Sequence, residues 1–222
     1  MSTTSNQTSR ARRSAGTPAG GQFAPEAHAE PEVTLDASGT APSTQPSESR
    51  REVDADGTVR WFDAAGDPHR DGGPAVERAS GMKKWYQHGE LHRDGAPAIE
   101  WPDGSTFWWQ YGQLHRDGGP AIEYADGMKK WYQHGKLHRD GGPAVEYSDG
   151  AREWYQHGQL HRDGGPAVEY ADGVEAWFQY GDRHRVDGPA HTNASGRREF
   201  WVHGRRLTED AFRLRFPEAS AD

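Results

Sequence analysis

Apolar and polar residues alternate along two short segments that flank a turn, and this pattern recurs through most of the 222-residue chain. In one copy, segment 143–147 reads Pro-Ala-Val-Glu-Tyr and segment 151–156 reads Ala-Arg-Glu-Trp-Tyr-Gln, with Asp149-Gly150 between them. An Asp-Gly pair between runs rich in β-branched and aromatic residues is a strong hairpin signal. A second tight turn is predicted at His157-Gly158, where glycine supplies a positive φ. The pattern therefore predicts two strands and two turns in each copy.

The copies follow one another at a fixed period of 23 residues. The phrase His-Arg-Asp-Gly-Gly-Pro-Ala begins at four positions, a variant with Ala96 begins at a fifth, and a degenerate copy begins at a sixth. The six starting residues are His69, His92, His115, His138, His161 and His184. A fixed short period predicts stacked units of one design, each supported by its neighbours. It also favours a structural role for any residue that every unit repeats.

The register of the first hairpin follows from its turn. A two-residue Asp149-Gly150 turn places Val145 opposite Trp154, and it leaves Glu146 opposite Glu153. The like-charged pair indicates either a nearby cation, for which Arg139 is a candidate, or a different register. The same arithmetic predicts a core of β-branched residues facing tryptophans in five hairpins. The pairs are Val76 with Trp85, Ile99 with Trp108, Ile122 with Trp131, Val145 with Trp154, and Val168 with Trp177.

A second row of aromatic residues is predicted on the face opposite these tryptophans. One interpretation is a second packed layer, shielded by leucines of the following strand. The other is an open ladder for a peptide or a glycan. The candidate binding stripe consists of Tyr86, Trp109, Tyr132, Tyr155 and Phe178.

The repeated His-Arg-Asp is predicted to be a structural clamp. In the middle copy we expect His138 to pack on Trp131, and Arg139 to pair with Glu123 or Glu146. Asp140 is expected to accept bonds from the amides of the Gly-Gly-Pro corner. The clamp residues are His92, His115, His138 and His161, Arg93, Arg116, Arg139 and Arg162, and Asp94, Asp117, Asp140 and Asp163.

Three more specific functions could be assigned to these motifs, but the sequence supports each of them less well than a structural role. A kinase catalytic loop also contains His-Arg-Asp, but it needs a glycine-rich nucleotide loop and Asp-Phe-Gly elsewhere in the chain. Histidines four apart, such as His134 and His138, would suggest a metal on a helix, but here they span a β-turn. A glycine-rich phosphate cradle needs a helix N-terminus after it. The sequence therefore predicts no catalytic residue, no metal site and no cofactor.

Composition narrows the class of protein. Only 32% of the residues are hydrophobic, but 11% are aromatic and nine are tryptophan, so the core must be built from rings. The chain has no cysteine, which removes disulfides and thiolate zinc sites. A net charge of −8 argues against a nucleic-acid partner. We find no apolar run long enough for a membrane span and no secretory signal, so a cytoplasmic location is expected. Peripheral contact with a membrane stays open.

Three segments are predicted along the chain. Residues 1–50 are rich in Ser, Thr, Ala, Gly and Pro and are expected to be a disordered leader. Residues 51–207 form the repeat array. Residues 208–222 are expected to form a capping helix and tail, with Thr208 as N-cap and Pro217 as the stop. We expect Leu207, Ala211, Leu214 and Phe212 to cover the last hairpin, because solenoids need a cap at an open end.

The unit resembles the MORN repeat. The resemblance rests on Trp131-Tyr132-Gln133-His134-Gly135-Lys136-Leu137-His138 followed by Tyr147-Ser148-Asp149-Gly150, at the same 23-residue period, and covers residues 51–207. The segment 139–144 departs from the family's Gly-x-Gly and is closer to divergent bacterial, phage and giant-virus repeats. The resemblance implies an all-β fold, an elongated antiparallel sheet of hairpins in a solenoid.

The resemblance also implies a class of function rather than one activity. It implies scaffolding, partner binding or membrane-lipid association. Together with the repetition of every candidate group, this favours a non-enzymatic scaffold or protein-interaction module whose partner is an unknown protein. Some bacterial variants of the repeat are labelled antitoxins, which makes neutralisation of a partner toxin an alternative. A phage- or virion-associated structural protein is a second alternative.

Overall fold

A computed structural model describes residues 50–220, and the predicted leader, apart from Arg50, lies outside the described residues. The strands are, in chain order, β1 (Arg50–Val53), β2 (Val59–Phe62), β3 (Val76–Glu77), β4 (Lys83–Lys84), β5 (Tyr86–Gln87), β6 (Glu90–Leu91), β7 (Ile99–Glu100), β8 (Thr106–Phe107), β9 (Trp109–Gln110), β10 (Gln113–Leu114), β11 (Ile122–Glu123), β12 (Lys129–Lys130), β13 (Tyr132–Gln133), β14 (Lys136–Leu137), β15 (Val145–Glu146), β16 (Arg152–Glu153), β17 (Tyr155–Gln156), β18 (Gln159–Leu160), β19 (Val168–Glu169), β20 (Glu175–Ala176), β21 (Phe178–Gln179), β22 (Asp182–Arg183), β23 (His191–Thr192), β24 (Arg198–Val202) and β25 (Arg205–Leu207). One helix, α1 (Glu209–Arg215), and a 3-10 turn (Pro217–Ser220) follow.

Fifteen of these strands form one antiparallel sheet. Its order is β1-β2-β3-β4-β7-β8-β11-β12-β15-β16-β19-β20-β23-β24-β25, so each strand pairs with the next strand of this sheet along the chain, and the intervening ribbon strands are skipped. The ten remaining strands form five two-stranded ribbons, one in each of five successive units. The prediction of an all-β hairpin solenoid with a short C-terminal helix is confirmed. Each full unit nevertheless has four short strands, whereas the sequence analysis predicted two.

The first hairpin of each unit has a register one residue away from the predicted one. Val145 lies opposite Glu153 and Glu146 lies opposite Arg152. The reason is a three-residue loop: Gly150 N donates to Tyr147 O at 3.1 Å, and Gly150 follows this turn with φ +92°. This geometry is a type I turn with a glycine bulge rather than a two-residue type I′ turn. The predicted direct pairing of Val145 with Trp154 is therefore wrong, and the predicted Glu146–Glu153 repulsion is replaced by an opposite-charge pair.

The second strand of each unit is interrupted at its tryptophan. Trp131 N donates to Ala144 O of the next unit at 2.8 Å, whereas Trp131 O accepts from His138 N at 3.0 Å. Pairing thus passes at Trp131 from the large sheet to the ribbon formed by β13 and β14. The ribbon closes with a two-residue turn whose residues both have positive φ, 47° at His134 and 74° at Gly135. The register predicted for this turn, Tyr132 opposite Leu137, is confirmed.

The core is a row of small and β-branched residues along the large sheet. The alanine of each repeated phrase is fully buried in all six copies, at Ala75, Ala98, Ala121, Ala144, Ala167 and Ala190. Of the predicted core residues, Ile99, Ile122, Val145 and Val168 are buried, but Val76 and the tryptophans Trp85, Trp108, Trp131, Trp154 and Trp177 are only half-buried. The tryptophans therefore border the core rather than fill it.

The C-terminal end of the array is closed by α1. Thr208 caps the helix, its Oγ1 accepting from Ala211 N at 3.2 Å, as the sequence predicted. Phe212 is 1% exposed and packs with Phe200, Val202 and Leu207. The predicted cover by Leu214 is wrong, because this side chain is 87% exposed. Ala211 is exposed too, so the helix side of the cap is filled by Phe212, with Phe216 packed against it.

Candidate binding surface

Each unit holds an arginine against a tryptophan. In the middle unit the Arg139 guanidinium carbon lies 3.8 Å from the centre of the Trp131 ring. Arg139 Nη1 donates to Glu146 Oε1 at 2.7 Å and to Pro143 O at 3.0 Å. A Cβ atom on Gly142 would come within 3.0 Å of Arg139 Nε, so the guanidinium lies between the indole and the glycine corner. Because the arginine is paired and stacked, its planar head is fixed in orientation.

The same arrangement recurs through the array. The guanidinium–indole distance is 3.8 Å in five units and 3.9 Å in the last. The ion pair to a glutamate seven residues later recurs in five units, with distances of 2.6–3.0 Å. In the last unit Thr192 stands where the glutamate would be, and Arg185 pairs with Asp187 at 2.7 Å instead.

Three successive units carry an open groove beside this stack, and we call each of them a Trp groove. The middle groove has a volume of about 290 Å³; its neighbours have volumes of about 390 and 350 Å³. Each groove is lined by a tryptophan, the next aromatic residue, a glutamine, and the His-Arg-Asp of the same unit, together with the arginine of the unit before. In the middle groove these are Trp131, Tyr132, Gln133, His138, Arg139, Asp140 and Arg116.

The predicted aromatic stripe contributes to these grooves. Trp109, Tyr132 and Tyr155 each line one groove, and all five stripe residues, including Tyr86 and Phe178, are half-buried. The stripe was predicted on the face opposite the tryptophans. That is wrong for these three units, where both aromatic rows line the same grooves, because the strand is interrupted at the tryptophan and the alternation of faces does not continue across it.

Burial and neighbouring charge raise the pKa values of the stripe tyrosines. Burial raises the pKa of Tyr86 and Tyr132 above the ordinary tyrosine value. Burial also raises the pKa of Tyr155, and the Glu153 carboxylate raises it further, because Tyr155 Oη donates to Glu153 Oε2 at 3.0 Å. These tyrosines are neutral hydrogen-bond donors at physiological pH. Trp109 Nε1 is buried without a hydrogen-bond partner among residues 50–220, and it is the donor that sets this unit apart from its neighbours.

The histidine of each clamp links two units. His138 Nδ1 accepts from the backbone N–H of His157 at 3.2 Å, and the two imidazoles stack with their centres 4.6 Å apart. His138 Nε2 lies 3.3 Å from Asp140 Oδ1. The sequence predicted that Asp140 would accept from the corner amides and that the His138 ring would pack on Trp131. The structure instead stacks the His138 ring on His157 of the next unit and places Asp140 beside His138 Nε2, and Arg139 takes the position against Trp131.

The same contact recurs in every unit, with ring planes 18–28° apart in four units and tilted by 35° and 42° in the other two. The turn residue that covers the clamp histidine is a histidine or a tyrosine with positive φ, and its amide donates to Nδ1 at 3.1–3.3 Å. His92, His115, His138 and His161 are buried by this contact. The sequence signal for it was the constant 19-residue separation between each clamp histidine and the next unit's turn residue, a relationship that lies outside any single copy of the motif.

A further row of aromatic residues, three of them exposed and Tyr124 half-buried, was not predicted. Trp101, Tyr124, Tyr147 and Tyr170 follow the Val/Ile-Glu of successive units at the first hairpin loop. Trp101 and Tyr170 are 41% and 47% exposed. Tyr147 lies near Glu153, and burial together with that carboxylate raises the pKa of Tyr147 to about 12. Their 23-residue spacing was visible in the sequence, but the incorrect register assigned them no face.

The comparisons with known proteins give no assignment. No protein-family model matches the chain, and no curated protein matches it. Within residues 50–220, the structure contains no helix of the length and apolar character that a membrane crossing requires.

Proposed function

We propose that this chain is a non-enzymatic repeat scaffold that binds an extended segment of a partner protein along its Trp grooves. The observation that carries the proposal is the recurrence of one groove, with the same lining, in three consecutive units. A linear ligand is the natural occupant of such a row, because each unit offers it the same contacts at a constant interval.

The lining of the grooves favours a polypeptide. Each groove combines the face of an aromatic ring, a neutral hydroxyl or indole, a glutamine amide and a fixed guanidinium. Such a mixture of apolar surface and hydrogen-bonding groups is typical of sites that take up side chains and main-chain amides together. A single shallow groove contributes little, so affinity is expected to come from the occupation of several grooves by one segment.

The repetition of the same side-chain contacts from unit to unit supports a non-catalytic function. Each side chain that could take part in catalysis, such as His138, Arg139 or Asp140, has a counterpart with the same contacts one unit away. An active site needs one asymmetric cluster of such groups. The resemblance to MORN repeats is consistent with a scaffold, and the grooves support the proposal independently of it.

Proximity labelling with the full chain, followed by purification of the labelled protein, would supply the partner. Binding of that purified partner is then measured for the full chain and for a variant with Gln110→Ala, Gln133→Ala and Gln156→Ala, which alters three grooves. The matched control is Lys83→Ala, Lys129→Ala and Arg152→Ala, three exposed positions of the large sheet outside the grooves. We expect a loss of at least about tenfold in the groove variant, or about 1.4 kcal/mol. Equal affinity in both triple variants would contradict the proposal.

A further inference from the structure

The first unit differs from the others at its ribbon loop. Between Trp61 and His69 it has one residue more than the segment between Trp85 and His92. The extra residue makes a three-residue loop, in which Gly66 N donates to Asp63 O at 3.1 Å and Asp63 Oδ1 accepts from Ala65 N and Asp67 N, both at 3.0 Å. The loop therefore fixes a carboxylate at a place where the next unit has Gln87.

This carboxylate joins a stacked pair of histidines. His69, the clamp histidine of the first unit, stacks on His88 with ring centres 4.6 Å apart. His88 Nδ1 lies 3.3 Å from Asp63 Oδ2. One donor atom from each of Asp63, His69 and His88 lies within 4.8 Å of the others. Among residues 50–220, this is the single group of at least three His, Asp or Glu side chains with donors so close together.

We propose that Asp63, His69 and His88 form a binding site for one divalent transition-metal ion of the Zn²⁺ class. Two imidazoles and one carboxylate are a common donor set for such ions, with a water in the fourth position. Two ligands at bonds of about 2.1 Å and a tetrahedral angle are about 3.4 Å apart. The 3.3 Å separation of His88 Nδ1 and Asp63 Oδ2 already matches that geometry.

The surroundings of the three residues suit metal ligation. The two amides that bond Asp63 Oδ1 hold the carboxylate in place, with Oδ2 beside His88 Nδ1. Asp71 Oδ1 lies 3.2 Å from His69 Nε2 and fixes the tautomer that leaves the lone pair on Nδ1. The His88 amide, 3.2 Å from that Nδ1, must give way when the metal binds. His88 is 79% exposed, so an ion and its water have free access.

The ion would connect the first unit to the second at the end of the array that lacks the α1 cap. Asp63 and His69 belong to the first unit, and His88 belongs to the ribbon turn of the second. Ligation would therefore strengthen the contact between two units, and we expect metal binding to stabilise the folded array.

The test uses the full chain with any affinity tag removed. Zn²⁺ binding is measured by calorimetry, and Co²⁺ is used to read the coordination geometry from its visible absorption. We expect one ion per chain, tetrahedral Co²⁺ bands, and a thermal midpoint that rises with Zn²⁺.

Two variants distinguish this site from weak binding by any histidine pair. Asp63→Asn should lower Zn²⁺ affinity by about tenfold or more and abolish the thermal shift. It should still fold, because Asn193 holds the equivalent amides, of Ser195 and Arg197, in the last unit's loop. His134→Ala removes a histidine from the His115 pair, which has the same amide contact but has Gln110 at the position of Asp63, and should leave binding unchanged. Absence of saturable binding at one ion per chain, or equal affinity in Asp63→Asn, would overturn the proposal.

Discussion

The guanidinium of Arg139 lies 3.8 Å from the centre of the Trp131 indole and is held there by Glu146 and the carbonyl of Pro143. This contact explains how a chain with few aliphatic residues covers its tryptophans. The arginine shields one face of the indole, and the half-buried ring also lines the Trp groove. Stability of the array therefore depends on a cation–π contact repeated in every unit.

Replacement of Arg139 by lysine should cost nearly as much stability as replacement by alanine. A lysine keeps the charge but cannot bond Glu146 and Pro143 while lying flat on the indole. We expect each variant to lose about 1 kcal/mol in denaturant unfolding, since the pair is about one-third exposed. Full retention of stability in Arg139→Lys would show that charge alone matters at this position.

Replacement of Trp131 by alanine should cost about 2–3 kcal/mol, less than for a fully buried tryptophan because this one is half-buried. The loss also removes the surface on which Arg139 stacks, and it weakens contact between neighbouring units, so the unfolding transition should broaden. Gln133→Ala, which lines the same groove from an exposed position, is the control and should change stability by less than about 0.5 kcal/mol.

The two glycines of the repeated phrase should differ in their tolerance of alanine. Gly141 has φ +73°, a conformation that costs a non-glycine residue about 1–2 kcal/mol. Gly142 has no positive φ, and its counterpart in the second unit is Ala96, beside an Arg93 that keeps the 3.8 Å stack. Gly141→Ala should therefore destabilise by about 1–2 kcal/mol, and Gly142→Ala by less than about 1 kcal/mol. Equal losses in thermal unfolding would contradict this explanation.

The cap offers a direct comparison between a buried and an exposed side chain on one helix. Phe212→Ala should lose about 3–4 kcal/mol, because Phe212 fills the end of the core against Phe200 and Val202. Leu214→Ser should leave the unfolding midpoint almost unchanged, since Leu214 makes no buried contact. A large loss for Leu214→Ser would mean that the end of the array is covered by a surface other than the one described.

The architecture could be predicted from the sequence, but the side chains that share each face of the sheet could not. The constant 23-residue period and the Asp-Gly and His-Gly turns predicted hairpins in series, and these are present. The Asp149-Gly150 pair fits either a two-residue or a three-residue loop, and the difference of one residue reverses which side chains face each other. The stacks between units escaped prediction because they join His138 to His157, residues that belong to different copies of the motif.

The stability of the array should fall as the pH falls below the ordinary histidine range. Burial, reinforced by the neighbouring His203, lowers the pKa of His184 below its ordinary value of 6.5. The folded chain then binds fewer protons than the unfolded chain, so the free energy of unfolding decreases as the pH drops through 6.5. The geometry at His184 gives the same sign, because its Nδ1 accepts the His203 amide N–H at 3.1 Å and a proton on Nδ1 removes that bond.

Denaturant midpoints measured between about pH 7.5 and about pH 5.5 would check this dependence. The matched variant is His203→Tyr, since tyrosine occupies the equivalent turn position at Tyr111 and Tyr180 and stacks on the clamp histidine there. Removal of the second imidazole eliminates the smaller cause of the His184 shift and leaves burial, the larger one. The variant should therefore show a weaker but still present loss of stability at acidic pH. A midpoint that stays level or rises on acidification would contradict a lowered pKa of His184 as the cause.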